Sequence, residues 1–307
     1  MDKRSVLFTA PLDFDLRVWE EYTQEFDVYR VTESYRATVR KFGADYWVCD
    51  PKADFVIDKS MLDTVPGLKV LATPSTGLNH INLQDCRKAG VKVLSLSDNA
   101  PALEEISASS EFTLKLLIDA FRMGPDSREV YGKDIGIVGF GRIGKRLYKY
   151  LQAMGARYIV AHDPPLFGKA STDLNVMFKL SDAVVICCAY NKSTHHLITK
   201  ELLESMPKGA VLVNTSRGEV IDEDGLLTVM EDRPDLKVAV DVVEGETTGN
   251  GEAHRYRLVK AGAIVTNHVA GETFDSRTKA ARIILGLLRK EIHATGESKF
   301  TRKTGEA

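Results

Sequence analysis

Short apolar runs alternate with amphipathic stretches through the first hundred residues. The apolar runs, which predict strands, lie at residues 6–10, 28–31, 46–49, 69–73 and 91–96. Between them, apolar side chains recur with the 3.6-residue spacing of helices around residues 14–26, 33–42, 59–62 and 83–89. Strands that alternate with helices in this way favour a parallel sheet with helices on both faces. Residues 1–100 are therefore predicted to form one small, doubly wound domain.

The alternation resumes after a stretch that predicts one long helix at residues 101–120. The strands predicted beyond it lie at residues 135–138, 158–163, 183–189, 210–213, 237–240 and 263–266. A strongly amphipathic helix at residues 278–294 then most simply returns to the first domain. The predicted fold class is α/β with two doubly wound parallel-sheet domains. Residues 101–274 form the larger domain, and residues 1–100 plus 275–307 form the smaller one.

The turn after the first strand of the larger domain has the pattern Gly-x-Gly-x-x-Gly. Gly139 lets the chain turn, Gly141 lets the backbone approach a ligand, and Gly144 lets helix and strand pack closely. The helix that follows, beginning near Arg142 and Ile143, offers N–H groups and a partial positive charge to an anion. The stretch therefore predicts a site for the pyrophosphate of a nicotinamide dinucleotide. An accidental tight turn is the alternative.

Asp163 ends the next predicted strand, about 20 residues beyond Gly144, as the dinucleotide fingerprint requires. In that position its carboxylate can accept hydrogen bonds from both ribose hydroxyls and repel a 2′-phosphate. The predicted cofactor is therefore NAD, and the larger domain is predicted to be a Rossmann domain.

The composition indicates an ordinary globular protein of 307 residues, 44% hydrophobic and 27% charged, with a net charge of −2. This balance gives no reason to expect binding to nucleic acid or to a membrane surface. The apolar runs are too short for a signal segment or a membrane span, and four scattered cysteines do not suggest a disulfide framework. We therefore expect a cytoplasmic protein whose ligand is a small molecule.

Polar residues follow three strands of the larger domain, at the edge where such sheets bind ligands. The most informative are Arg217, Glu246 and His268. Each has an ordinary alternative. Arg217 could cap a neighbouring helix or make a surface pair, and His268 could be a structural histidine. The acids from Asp241 to Glu246 could be a solvated loop, or a metal site without obvious partners. Together the three residues match hydride transfer between a nicotinamide and a 2-hydroxy acid. One residue binds the carboxylate, one exchanges a proton with the alcohol oxygen, and one keeps that base charged. No metal is expected.

Five segments resemble the D-isomer-specific 2-hydroxyacid dehydrogenases, in the order in which that family has them. The matching segments are residues 139–144, 193–198, 206–218, 241–246 and 267–271. The run Asn214-Thr215-Ser216-Arg217-Gly218 is quite specific, and the resemblance extends along nearly the whole chain. It implies an NAD-dependent oxidoreductase that acts on a small D-2-hydroxy acid or the corresponding 2-keto acid.

The resemblance also implies a role for each matching residue. Arg217 binds the substrate carboxylate and keto oxygen, His268 is the acid/base, and Glu246 pairs with His268. A nearby carboxylate favours the imidazolium, so His268 can protonate the keto oxygen as hydride arrives.

Two further sets of residues are carried over from the family. Asp241 faces the nicotinamide carboxamide, and Thr215 belongs to the cofactor site. In the smaller, flavodoxin-like substrate domain, the backbone N–H groups of Thr76 and Gly77 hold the substrate carboxylate. A homodimer is implied as well.

The chain departs from the family pattern in two places. Residues 122–133 are shorter than the arm that many members wrap around a dimer partner, which bears on dimer geometry more than on chemistry. Asp50 and Pro51 stand where some members have an Arg-Ser pair facing the substrate. This disfavours a phosphorylated substrate, and Lys52 is the remaining candidate cation.

Three alternatives compete with this interpretation. A non-catalytic NAD(H)-sensing protein of the corepressor kind is the main one, because such relatives share the fold and these residues. A formate dehydrogenase is disfavoured because that family pairs a glutamine with its histidine, whereas this chain has Glu246. The complete set of Arg217, Glu246 and His268 disfavours a structural dinucleotide-binding protein.

Overall fold

The structure, a computed structural model, describes residues 3–11, 14–31, 43–53, 55–168 and 171–294. The chain divides into two compact units, Met1–Glu105 with Arg277–Ala307, and Ile106–Ser276. The helix predicted at residues 33–42 lies outside the described residues, as do residues 295–307. Within the described ranges, no helix is both long and apolar enough to cross a bilayer.

The first unit contains a parallel sheet flanked by short helices. Its strands are β1 (Arg4–Phe8), β2 (Phe26–Arg30), β3 (Tyr46–Val48), β4 (Val70–Thr73) and β5 (Lys92–Ser95). Its helices are α1 (Leu16–Glu25), α2 (Lys59–Leu62), α3 (Leu83–Lys88), a 3₁₀ turn at Leu96–Asn99, and α4 (Ala100–Leu103). The strand order in the described residues is β2-β1-β3-β4-β5, that of flavodoxin-like folds.

Local sequence accounts for these elements. The side chains of Asp15, Asp58 and Asn82 cap the starts of α1, α2 and α3, because each accepts an N–H of the first turn. The central strands are covered on both faces, and Trp47 and Leu71 have no exposed area. This burial explains why the strands appear in the sequence as unbroken apolar runs rather than alternating ones.

The second unit holds a larger parallel sheet. Its strands are β6 (Asp134–Val138), β7 (Tyr158–His162), β8 (Ala183–Ile186), β9 (Val211–Asn214), β10 (Lys237–Val240) and β11 (Ile264–Val265). Its helices are α5 (Ala108–Phe121), α6 (Arg142–Ala153), α7 (Pro164–Phe167), α8 (Leu174–Leu180), α9 (Lys200–Glu204), α10 (Glu223–Asp232) and α11 (Gly251–Lys260). Further 3₁₀ turns lie at Gly218–Val220 and Glu246–Thr248.

The strand order of this sheet is β11-β10-β9-β8-β6-β7, with every pair parallel. The order reverses between β6 and β8, and ligands of such sheets bind in the crevice beyond the carboxyl ends of the strands at that point. The fold class predicted from the sequence, two doubly wound parallel sheets with a Rossmann domain among them, is confirmed.

Residues of each strand alternate between two apolar cores, one on each face of the second sheet. On β8, Ala183 and Val185 pack with the α5 and α6 side, whereas Val184 and Ile186 pack with α8, α9 and α10. The period-two alternation of side chains therefore fixes both helical layers.

The last helix, α12 (Phe274–Ala294), occupies the first unit for most of its length. There it binds α1. The Tyr22 hydroxyl donates to the Ala281 carbonyl at 2.7 Å, and the Thr278 hydroxyl donates to Asp15 Oδ2 at 2.9 Å. The helix predicted at residues 278–294 is thus present.

The single helix predicted at residues 101–120 is wrong, because α4 and α5 are separate helices. The carbonyl of Ile106 accepts hydrogen bonds from Arg142 Nη1 at 2.5 Å and Arg146 Nη1 at 2.8 Å. That carbonyl is therefore engaged by side chains instead of continuing a helical ladder. The sequence also gave no indication of α11, which has only Leu258 buried.

Candidate active site

Gly139 makes the turn that leads from β6 towards α6. It has φ of 93°, and its N–H donates to the His162 carbonyl at 2.8 Å. A Cβ at this position would lie 2.5 Å from the backbone of Cys188, the second residue after β8. Both the backbone conformation and the close approach of the neighbouring strand therefore require glycine here.

The other two glycines of the pattern differ in what surrounds them. A Cβ on Gly144 would lie 2.2 Å from the Gly139 carbonyl oxygen, so helix packing excludes any side chain. Gly141 has φ of −75°, which any residue adopts, and a Cβ there would meet nothing within 4 Å. The fold does not itself require glycine at Gly141, whereas a ligand that fills this space would.

This open space lies at the start of α6, where Gly141 is the N-cap and provides no side-chain hydrogen bond. As a glycine, Gly141 offers no capping oxygen to the N–H groups of the first turn, which begins with Arg142 and Ile143. The oxygens of a pyrophosphate suit this position and the helix dipole. The residues present fit the pyrophosphate of NAD.

Asp163 follows β7 and is bound to the glycine turn. Its Oδ2 accepts the Phe140 N–H at 2.6 Å, and its Oδ1 accepts the Leu166 N–H at 3.2 Å, which caps α7. A carboxylate has about four acceptor positions, so ribose hydroxyls can share it with these two donors. Asp163 therefore has a structural role that the sequence analysis did not assign to it.

Arg217 leaves the end of β9 through a turn that Asn214 closes. Asn214 Oδ1 accepts the Ser216 N–H at 3.0 Å, and its Nδ2 donates to the Arg217 carbonyl at 2.9 Å. Arg217 Nη1 donates to the Ser216 carbonyl at 2.7 Å. Burial lowers the pKa of Arg217, while the negative charges of Glu246 and Glu219 act to raise it. The guanidinium is therefore held in a largely desolvated place, within the field of Glu246.

The loops that follow β9 and β10 touch each other at Gly218. A Cβ there would lie 1.9 Å from the carbonyl carbon of Val243, so only glycine permits the contact. On the other side, the hydroxyls of Thr215 and Thr113 are 2.7 Å apart, which ties the β9 loop to α5. These contacts fix the backbone position of Arg217 relative to the loop that carries Glu246.

Asp241 is completely buried at the end of β10 and organises the segment after β11. Its Oδ1 accepts the Val269 N–H at 2.9 Å, its Oδ2 accepts the Ala270 N–H at 2.8 Å, and the Thr266 hydroxyl donates to Oδ1. From the family resemblance, Asp241 is expected at the cofactor. The structure adds that its carboxylate holds both ends of the turn that contains His268.

Glu246 and His268 form the most specific pair of the site. His268 Nδ1 lies 2.8 Å from Glu246 Oε2, with the side chains 33% and 18% exposed. Burial by itself would raise the pKa of Glu246. The hydrogen bond and charge of His268, the Val243 N–H and the charge of Arg255 outweigh burial, so this pKa is lowered. Glu246 is therefore held as a carboxylate.

The ionised state of Glu246 determines which nitrogen of His268 can react. A carboxylate only accepts hydrogen bonds, so His268 Nδ1 must carry the hydrogen between them. Nε2 is then the nitrogen that gains or loses a proton. Together with the nearby cation of Arg217, this pair can exchange a proton with an oxygen while an adjacent anion is bound. In the described ranges, no group of three or more His, Cys, Asp or Glu side chains could hold a metal ion.

In the first unit, Thr76 and Gly77 lie in the loop after β4. The Gly77 N–H donates to Ser75 Oγ at 3.1 Å, and the Ser75 carbonyl accepts the Leu96 N–H at 3.1 Å. The buried His80 Nε2 lies 2.9 Å from Thr73 Oγ1 and closes the loop at its far end. The Gly77 N–H therefore already has an acceptor, which a substrate carboxylate would have to share or replace.

Comparison with known families settles the class of the protein. The model of the NAD binding domain of the D-isomer specific 2-hydroxyacid dehydrogenases matches residues 93–270, and that of the catalytic domain of the same family matches residues 8–109. The chain belongs to this family. It is an NAD-dependent oxidoreductase of 2-hydroxy and 2-keto acids, and the predictions of the family, the enzyme class and the cofactor are confirmed.

Individual members of this family are similar to the chain at moderate identity. A hydroxypyruvate reductase of Thermotoga maritima is 27% identical over 267 residues, which are 79% of this chain and 86% of the relative. A glyoxylate reductase of Thermofilum pendens is 29% identical over 271 residues, 77% of this chain and 76% of the relative. Both relatives match over most of their own length.

Solved structures show the same fold. The chain matches NAD-bound 3-phosphoglycerate dehydrogenase of Entamoeba histolytica with a TM-score of 0.78 and 20% identity, covering 99% of this chain and 100% of that one. It matches a D-lactate dehydrogenase of Aquifex aeolicus, complexed with NAD and lactic acid, with a TM-score of 0.75 and 23% identity, covering 96% and 97%. At these identities the likeness concerns the fold alone.

Proposed function

We propose that the protein reduces a small, unphosphorylated 2-keto acid to the D-2-hydroxy acid, with His268 as proton donor and Arg217 as the substrate-binding cation. The observation that carries this proposal is the 2.8 Å contact between Glu246 Oε2 and His268 Nδ1. A structural histidine needs no ionised, partly buried carboxylate on one nitrogen while a third of its side chain stays exposed. The arrangement suits an acid/base, because the carboxylate orients the ring and leaves the other nitrogen to exchange the proton.

The residues divide the chemistry among them. Bound NADH supplies the hydride for the carbonyl carbon. His268 Nε2–H gives its proton to the keto oxygen, and Glu246 stabilises the imidazolium before that transfer. In the reverse direction, neutral Nε2 takes the proton from the hydroxyl. The Asp241 carboxylate supports the position of His268, because it accepts the Val269 and Ala270 N–H groups after it and the Thr266 hydroxyl before it.

Arg217 supports substrate binding by its shape and its charge. A guanidinium offers two parallel N–H donors that match a carboxylate, and it can polarise an adjacent carbonyl oxygen. Its largely desolvated setting strengthens both interactions. From the family resemblance, we assign the backbone N–H groups of Thr76 and Gly77 to the same carboxylate. Thr215 and Asp241 are assigned to the cofactor on the same basis.

The substrate class follows from the family and from the names of the relatives. Two similar proteins are a hydroxypyruvate reductase and a glyoxylate reductase, so small 2-keto acids are the first candidate substrates. Asp50 places a carboxylate in the first unit where some family members have a basic residue, which disfavours a phosphorylated substrate. The homodimer implied by the resemblance also remains a proposal, which light scattering of the purified protein would test.

The test is NADH oxidation against glyoxylate, pyruvate, hydroxypyruvate and 2-oxoglutarate, together with direct measurement of NADH binding. We expect turnover of at least one of these acids. For His268→Asn, kcat should fall by a factor on the order of 10²–10⁴, the usual contribution of one acid/base group. A wild-type pH–rate profile in that variant would exclude His268 as the donor. NADH binding without turnover of any acid would favour the NAD-sensing alternative.

A further inference from the structure

The two oxygens of Glu246 are used for different purposes. Oε2 faces His268 Nδ1 at 2.8 Å. Oε1 accepts the Val243 N–H and Arg255 Nη2, both at 3.2 Å. Because Oε1 is bound by two donors from the protein, the carboxylate has one orientation in which Oε2 remains directed at the imidazole.

Arg255 also contacts the segment on which His268 lies. Its Nη1 donates to the carbonyl of Thr266, two residues before His268. One guanidinium therefore bridges the turn that carries Glu246 and the strand end that carries the histidine. The planar fork of arginine suits this, because its donors have a fixed separation.

The burial of Arg255 is costly unless Glu246 compensates for it. The Arg255 side chain is only 15% exposed, and Glu246 is its close buried counter-charge at 3.2 Å. Within the described part of the chain, Arg255 Nε is buried without a hydrogen-bond acceptor, and it lies 3.6 Å from the exposed carboxylate of Glu252. A buried cation with an unsatisfied donor persists only where a second interaction favours it. Here that interaction is with the partner of His268.

Helix α11 is held against the same loop at the neighbouring residue. His254 Nδ1 lies 2.6 Å from Glu223 Oε1, and Glu223 Oε2 accepts the Glu244 N–H at 3.0 Å. Glu223 is 3% exposed, and a Cβ on Gly251, at the helix start, would lie only 3.1 Å from the Glu246 Cα. These contacts hold the backbone around Arg255. The guanidinium therefore stays in place and restricts movement of the Glu246 carboxylate.

From these contacts we infer that Arg255 is a positioning residue, which holds Glu246 so that Oε2 stays on His268 Nδ1 and which balances the carboxylate's charge. The inference rests on the proposed function of the Glu246–His268 pair. Arg255 is not among the residues that match the family pattern. It also lies in a helix that the apolar spacing of the sequence did not predict.

The test compares Arg255→Gln and Arg255→Lys with Arg257→Gln. Arg257 lies on the same helix and makes an exposed pair with Asp224 at 2.6 Å, so its variant controls for loss of a helix cation. For Arg255→Gln we expect kcat to fall on the order of tenfold, with NADH binding and the thermal midpoint close to those of Arg257→Gln. Arg255→Lys should recover the charge but only part of kcat.

The pH profile separates positioning from simple loss of packing. Arg217, Arg255 and His268 place positive charge near Glu246, so neutralising Arg255 removes one of the cations near the pair. The limb of the pH–rate profile that reports protonation of the pair should move to higher pH in Arg255→Gln and stay in place in Arg255→Lys. A profile in Arg255→Gln that coincides with that of Arg257→Gln would overturn the inference.

A readout without turnover comes from ¹⁵N NMR of the histidine rings in the cofactor-free protein, with the His268 signals assigned by comparison with His268→Asn. Wild-type and Arg257→Gln proteins should show one Nδ1–H form, and Arg255→Gln a mixture of ring tautomers. An unchanged single form in Arg255→Gln would also overturn the inference. If instead His268→Asn retains the wild-type pH profile, it is the proposed function that fails, independently of Arg255.

Discussion

The backbone N–H of His268 donates to the carbonyl of Asp241 at 2.8 Å, and His268 has φ of 52°. A residue other than glycine in this left-handed region costs of order 1–3 kcal/mol, and it persists only where the surroundings enforce it. Asp241 enforces it, because its carboxylate accepts the next two N–H groups, those of Val269 and Ala270. One buried acid therefore determines the direction of the imidazole.

Asp241→Asn should accordingly affect both stability and turnover. The amide of Asn would put an NH₂ group opposite a backbone N–H, leaving buried donors unpaired at a cost of about 1–3 kcal/mol each. We expect a lower free energy of unfolding by denaturant titration and a reduced kcat. Asp224→Asn is the matched control, because Asp224 is 81% exposed and should change neither quantity. Equal behaviour of the two variants would contradict the role of Asp241.

Two glycines of the turn allow a prediction that separates ligand space from packing. Gly141→Ala places a methyl where nothing lies within 4 Å, at an ordinary φ, so the free energy of unfolding should stay the same or rise by about 0.4–1 kcal/mol. NADH should nevertheless bind more weakly, because the methyl occupies the space for the pyrophosphate. Calorimetric titration and denaturant unfolding measure the two effects.

Gly144→Ala should show the opposite pattern, in which the main effect is a lower free energy of unfolding. Its Cβ would lie 2.2 Å from the Gly139 carbonyl oxygen, so the helix must move away from the strand. Overpacking of this kind typically costs about 1–3 kcal/mol. If Gly141→Ala binds NADH as tightly as the wild type, the assignment of that space to the pyrophosphate is wrong.

Much of the fold could be predicted from the sequence because parallel strands buried on both faces leave continuous apolar runs. The glycine turn was informative because part of its requirement is local: Gly144 meets the Gly139 carbonyl within one strand–turn–helix unit. The break between α4 and α5 could not be predicted, since it depends on Arg142 and Arg146, which reach Ile106 from a helix formed much later in the chain.

The candidate site shows a similar division. Arg217, Glu246 and His268 stand at strand ends, where sequence alone locates ligand-binding residues, and the structure brings Glu246 and His268 into contact. Arg255 left no such signal. Helix α11 buries only Leu258, so it has no apolar periodicity, and its importance lies in polar contacts that the linear sequence does not show.

The two functions of Asp163 can be separated by choice of substitution. Asp163→Asn keeps an oxygen for the Phe140 N–H but removes the negative charge that would repel a 2′-phosphate. We expect the preference for NADH over NADPH in kcat/KM to fall on the order of tenfold. The free energy of unfolding should fall less than in Asp163→Ala, because the amide keeps one of the two acceptor oxygens. Asp163→Ala should show the same loss and, in addition, about 1 kcal/mol less stability, since α7 loses its cap. Unchanged cofactor selectivity in both variants would exclude the ribose assignment.

Arg217 gives the sharpest test of substrate binding, because its side chain is not required for the turn on which it lies. That turn is closed by Asn214 through the backbone of Ser216 and Arg217. Arg217→Ala should therefore fold and bind NADH as the wild type does, while kcat/KM for the keto acid falls to near the detection limit. Arg217→Lys keeps the charge but not the fork, so it should recover only part of kcat/KM. If Arg217→Ala retains kcat/KM, the guanidinium does not bind the substrate. If Lys and Arg are equivalent, charge alone suffices and the two-point geometry proposed for the carboxylate is wrong.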